Sequence, residues 1–140
     1  MKSITILLAT CLLLLSIKEA KAQSLKSLDE ITKKHQACLD TGVDMLGCSK
    51  MYYLQVDSLL NVAYNQLRFK MSGSDKESLK KEQLAWLKKR DSYFKQQNLM
   101  FQRKFEEGEW GSDMAMITYS DQAGFVKERV VVLLKRVNKK

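Results

Sequence analysis

The sequence predicts an all-α fold: a small bundle of about four helices, two of them long and antiparallel, stapled by one disulfide. Three observations carry this. There is no proline in 140 residues, and only six are glycine, whereas a sandwich or barrel needs many turn residues. Apolar residues recur at spacings of three and four over long stretches, the repeat of one helical face. Two cysteines, Cys38 and Cys48, remain once an N-terminal leader is set aside, and an even count in an exported chain points to a bridge.

The leader comes first. Lys2 supplies a positive start, and Ile4 to Ile17 is apolar apart from Thr10 and Ser16. About 14 such residues are too few to cross a hydrocarbon core of ~30 Å, but they suit the central region of a secretory signal. Ala20-Lys21-Ala22 fits the small-x-small cleavage rule. Residues 1–22 therefore read as a signal peptide cut after Ala22, and 23–140 as one domain, periplasmic or secreted, with no transmembrane span. Leu8-Ala9-Thr10-Cys11 loosely matches a lipoprotein acceptor, but Leu12 to Leu15 continue the apolar run beyond it. Cys11 is read as part of that run.

The precursor has 24 basic and 16 acidic residues; the leader takes three and one of them, leaving 21 and 15, a net charge of +6. Such a charge favours anionic lipid, an acidic polymer or an acidic cleft. Nucleic acid is a poor partner for an exported chain. Aromatics beside basic residues, as in Tyr93-Phe94-Lys95, stand at helical spacing and read as core with snorkelling lysines.

Leu25, Leu28, Ile31 and Cys38 mark a short first amphipathic segment, closed by a turn at Asp40-Thr41-Gly42. In the second helix, Met45, Cys48, Tyr52, Val56, Leu59, Ala63 and Leu67 form one stripe, widened by Leu60 and Tyr64, with Asp57 and Asn61 at its rim. Met71-Ser72-Gly73-Ser74 ends it. Ser74 and Glu77 give a capping-box pattern for a third helix running to about Glu107. That helix's stripe is Leu79, Gln83, Trp86, Arg90, Tyr93 or Phe94, Gln97 and Phe101. Gln83 and Arg90 occupy places where leucine is expected, and an unpaired buried polar group costs roughly 1–3 kcal/mol. Either Arg90 meets a carboxylate, Asp57 first, or the helix is slightly rotated and Arg90 snorkels at the edge. After the turn Gly108–Ser112, with Ser112 as N-cap, a last helix carries Met116, Tyr119, Ala123, Val126, Val130, Leu133 and Val137. Val130-Val131-Val132 has β character, but it sits inside the helical period. Lys135, Arg136, Lys139 and Lys140 suit a helix C-terminus.

A Cys38–Cys48 bridge closes about 11 residues and contributes ~3 kcal/mol in the loop-entropy estimate. The spacing is too long for C-x-x-C redox chemistry, and two thiols are too few for a metal site. His35, in a Lys-Lys-His run, reads as an exposed surface residue. No nucleophile stands with an evident base and orienter, and no glycine-rich phosphate loop occurs. Glu106 and Glu107 read as a solvated face rather than a glycosidase pair. No enzyme, cofactor or metal is expected.

Several of these residues form a known pattern. Cys38, Thr41, Met45 and Cys48 are followed by Asp57-x-x-Leu60-Asn61-x-x-Tyr64-x-x-Leu67 and by Leu79, Gln83-x-x-Trp86-x-x-x-Arg90-Asp91. Together they resemble the N-terminal domain of LprI-type lysozyme inhibitors over roughly residues 36–134. Glu107-Gly108, Gly111-Ser112, Arg129 and Leu133 resemble the family's closing section. The resemblance implies an exported binding protein that inhibits lysozyme by protein contact. It also implies a second cysteine pair, whose places are taken here by Phe94 and Asp121, so the last helix is expected to be held by packing alone. The family's namesake is lipid-anchored; the Cys11 argument makes this chain free. Leu60 and Trp86 are expected in the core. Asp57, Asn61, Gln83, Arg90 and Asp91 are expected to be polar ties between the second and third helices, with Tyr64 in the same motif.

Two readings follow. An inhibitor would dock through the Lys88-Lys89 edge or the Ser72–Lys76 or Gly108–Ser112 loops. Because many animal lysozymes are themselves basic, an acidic patch at Glu106, Glu107 and Glu109 is the alternative contact. The other reading is an envelope-binding or scaffold module without inhibitory activity. The partner is accordingly lysozyme, another envelope protein, or an anionic cell-envelope polymer.

Overall fold

The computed structural model describes residues 25–139; the leader, its cleavage site after Ala22 and Cys11 lie outside them. Four helices follow one another: α1 at residues 25–40, α2 at Met45–Phe69, α3 at Gly73–Glu106 and α4 at Asp113–Lys139. Among the described residues no helix is long and apolar enough to cross a membrane.

α1 contributes Leu28 and Ile31 to the core and ends where Gly42, at φ 68°, turns the chain back. The Thr41 and Gly42 amides donate to the carbonyls of Cys38 and Leu39. The predicted Cys38–Cys48 disulfide is present, with Cα atoms 5.8 Å apart, and joins the last turn of α1 to the first turn of α2. Asp44, at φ 46°, caps α2 by accepting from the Gly47 amide. The buried stripe of α2 runs from Cys48 to Leu67 as its spacing predicts; Met45, one turn before the bridge, stays exposed.

The tightest pair is α2 with α4. These helices run parallel, because Ser49 meets Ser120 near one end (Oγ to Oγ 3.0 Å) and Lys70 donates to the Val137 carbonyl at the other (3.0 Å). Ala63 and Ala123 are fully buried, and small side chains let two helix axes approach closely. Val56, Leu67, Val126, Val130 and Leu133 fill the space around them. The valine run 130–132 lies within α4, with Val130 buried and Val132 exposed. Arg136 and Lys139 occupy its last turn.

α3 runs antiparallel to α2 and α4. It buries only Leu79 and Gln83 fully, because polar residues interrupt its apolar stripe. Trp86 and Phe94 pack half-buried against the core. The expected Ser74–Glu77 capping box is absent. α3 begins earlier, at Gly73 after Ser72, without a side-chain cap bond, and the Ser72 carbonyl accepts from Lys76 (2.9 Å). Met71 is buried in the core, so the chain enters the next helix as soon as it leaves that anchor. Ser72–Lys76 is therefore mostly the first turn of α3 rather than a loop. At the other end, Gly108 turns at φ 73°, and the amides of Glu109 and Trp110 close on the Lys104 carbonyl, the capping geometry expected of a glycine past a helix C-terminus.

Candidate functional site

Residues three and four apart on a helix share a face, so Asp57, Leu60, Asn61 and Tyr64 form a column on α2. Lys80, Gln83, Leu84, Leu87 and Arg90 form the facing column on α3. Together they line a cleft of about 230 Å³. Of the motif residues, Asp57, Leu60, Asn61, Tyr64, Gln83 and Arg90 lie on its wall, and Trp86 and Asp91 both contact Arg90.

Arg90 spans the cleft. Its Nε and Nη2 donate to Asp91 Oδ1 at 3.0 and 2.8 Å, and its Nη1 lies 3.5 Å from Asp57 Oδ1. The guanidinium carbon sits 5.8 Å from the Trp86 ring and 5.9 Å from that of Phe94, within reach of both aromatic faces. Arg90 is thus half-buried, and it both meets Asp57 and packs along the edge. Asp57 Oδ1 is shielded from solvent yet receives no hydrogen bond. The Asn61 amide donates to the Asp57 carbonyl (3.2 Å). Leu60 is buried and Trp86 half-buried.

The fully buried arginine is Arg129 of α4. Its Nε and Nη2 donate to Gln83 Oε1 (3.0 and 2.8 Å), and its Nη1 donates to Glu82 Oε1 (2.7 Å). Gln83, anomalous in the apolar stripe, has its partner here rather than on α2. Arg136 also binds Glu82 (2.8 Å). Burial pushes the Glu82 pKa up, but hydrogen bonds and charge from Arg129 and Arg136 outweigh it and hold the carboxyl below its ordinary value. Trp86 lies between the two guanidinium groups, 5.9 Å from that of Arg129, and stacks on Phe125 at 5.7 Å. Arg129 stands one turn after Val126 and one before Leu133. It was legible by the same signal as Gln83, a polar residue at core spacing.

α4 is not held by packing alone, contrary to expectation. Besides the Arg129 and Arg136 ties, Gln122 donates to Asn98 (3.0 Å) and Lys127 to Thr32 (3.2 Å). Phe94 sits edge-on to Tyr53 and Phe125 at 5.8 and 6.3 Å, so aromatic contacts join α2, α3 and α4 at this position. Asp121 is exposed.

His35 differs from the sequence expectation of an exposed residue. It is half-buried, lies flat on Tyr52 with centroids 4.2 Å apart, and approaches Ser49 Oγ at 3.4 Å. A second cleft of about 200 Å³, between α1 and α2, runs past it and the disulfide to Met51 and Gln55. Burial and then the Lys127 charge lower the His35 pKa.

The acidic patch proposed at Glu106, Glu107 and Glu109 is not free. Lys104 pairs with Glu109 at 2.6 Å and with Glu107 at 3.5 Å, and Gln102 donates to Glu106. Lys88 and Lys89 are exposed. Among the described residues no group of three or more His, Cys, Asp or Glu side chains could hold a metal ion.

A protein-family profile described as lysozyme inhibitor LprI matches residues 32–133, from the middle of α1 through most of α4. No curated protein and no solved structure matches the chain.

Proposed function

The chain belongs to the LprI lysozyme inhibitor family, and from that premise we propose that it is an exported protein that inhibits lysozyme by binding it, without chemistry of its own. The observation that carries this is the extent of the family match, which takes in the disulfide, both motif columns and the Arg129 tie. The Cys38–Cys48 bridge fits an oxidising compartment outside the cytoplasm. The motif residues act mainly as architecture: Arg90, Trp86, Gln83 and Arg129 lock α3 onto α2 and α4 and so fix the shape of the surface offered to a partner.

A lysis assay with the purified protein tests the reading. Inhibition at near-equimolar ratio is expected. No inhibition of several lysozyme types at about a tenfold molar excess, at micromolar concentrations, overturns it.

A further inference from the structure

Between Lys50 and Lys70, only Asp57 and Arg68 are charged, in a chain whose residues are 29% charged. Asp57 turns into the α3 cleft. Met51, Leu54, Ser58, Val62, Asn65 and Phe69 follow one another at spacings of three and four, so they form one uncharged outward stripe on α2, about 27 Å long at 1.5 Å per residue. Arg68 lies some 100° round the helix from Phe69. The stripe's apolar members are 55% (Met51), 59% (Leu54), 44% (Val62) and 89% (Phe69) exposed. Single exposed apolar residues are ordinary; four sharing one face, with only Ser58 and Asn65 between them, point to a contact surface.

We propose that this outward face of α2 is where the protein contacts lysozyme, an inference that rests on the inhibitor reading above. The face is a ridge between two grooves. Met51 and Gln55 border the cleft toward α1, and Asn61 borders the cleft toward α3. An apolar ridge with Ser, Asn and Gln at its sides has the composition of an interface centre, where charges are depleted.

Charge selects this face over the others for a basic partner. On α3 the exposed Lys81, Lys88 and Lys95 recur every seven residues with Lys80 and Lys89 beside them, and a cationic lysozyme is repelled there. The acidic residues near the α3–α4 turn are engaged by Lys104 and Gln102. The α2 stripe offers apolar contact and carries no cation of its own.

The test uses the purified protein, Leu54→Lys/Val62→Lys and, as a control on the opposite charge argument, Lys88→Ala/Lys95→Ala. Lysis inhibition, direct binding to lysozyme, molecular mass in solution and thermal melting are measured for each. The α2 variant should need roughly tenfold or more protein for half-inhibition while melting as the wild type does, and the α3 variant should inhibit at least as well as wild type. An α2 variant that inhibits like wild type removes the surface assignment and leaves the inhibitor reading standing. A wild type that binds no lysozyme removes both. A wild-type dimer that the α2 substitutions dissociate assigns the face to self-association and overturns the proposal.

Discussion

Arg129 donates two hydrogen bonds to the side-chain oxygen of Gln83, at 3.0 and 2.8 Å, across the interface of α4 and α3. Both residues are at most 9% exposed. A buried guanidinium is tolerated only when paired, and here the pairing couples the longest helix, which has little apolar surface of its own, to the core. Arg129→Met leaves the Gln83 oxygen without a donor in a buried place and Glu82 with Arg136 alone. The expected loss is about 3 kcal/mol in a denaturant titration. Gln83→Leu/Arg129→Met should lose clearly less than the two single variants summed, because it removes both partners together. Additive losses would show that the pair is not an energetic unit.

The Cys38–Cys48 bridge constrains a different part of the molecule. It closes the α1–α2 turn, and α1 places Leu28 in the core as its one fully buried apolar side chain. Replacing both cysteines by serine should cost ~3 kcal/mol by the loop-entropy estimate. The loss should also be local. Hydrogen exchange is expected to speed up most along residues 25–40 while the α2 and α4 amides near Val56 and Val130 keep their relative protection. Uniform acceleration across the bundle would contradict that division.

The helices themselves were legible because their apolar residues keep helical spacing: the α2 stripe from Cys48 to Leu67 and the α4 stripe from Ala123 to Val137 needed nothing else. The pairing was not. Neighbours in sequence usually neighbour in space, which points to α2 against α3, whereas α2 packs most closely and in parallel on α4. Ala63, Ala123, Ser49 and Ser120 permit that approach, but small residues on a helix carry no direction and no partner in their sequence. The cleft was half legible. Spacing put Asp57, Asn61 and Tyr64 on one column and Gln83 and Arg90 on another, yet Gln83 turned out to answer to Arg129, a residue of α4 forty-six positions away. The α3 start was misread because Ser74 and Glu77 have cap chemistry in the right register, while burial of Met71 set the boundary two residues earlier.

The entry to α2 makes a prediction whose sign depends on one neighbour. A Cβ on Gly47 would collide with the Asp44 carboxylate, which accepts the Gly47 amide at 3.0 Å as the helix cap. Gly47→Ala alone must displace that carboxylate, and a lost cap costs about 1 kcal/mol. In an Asp44→Gly background no carboxylate is in the way, and the left-handed φ at residue 44 suits glycine. There Gly47→Ala should stabilise by roughly 0.5–1 kcal/mol through helix propensity. Thermal melts of the four proteins check this; the same sign in both backgrounds would remove the clash as the cause.

His35 gives the fold a pH dependence whose window lies above that of the carboxylates. Contact with Tyr52 and Ser49 buries the ring, and burial first, then the Lys127 charge, lower its pKa from 6.5. The folded protein therefore binds this proton less readily than the unfolded chain does. Well above pH 6.5 the ring is neutral in both states and the stability is complete. As the pH falls through that value the unfolded chain takes up a proton that the folded state still refuses, so stability declines until the lowered folded pKa is passed. Glutamine at position 35 cannot titrate and keeps a planar polar group over Tyr52. Denaturant midpoints taken between about pH 8 and about pH 5 should fall with decreasing pH for the wild type and fall distinctly less for His35→Gln. Parallel curves would mean that the proton on His35 is bound equally in both states, and the stacking on Tyr52 would then carry no electrostatic cost.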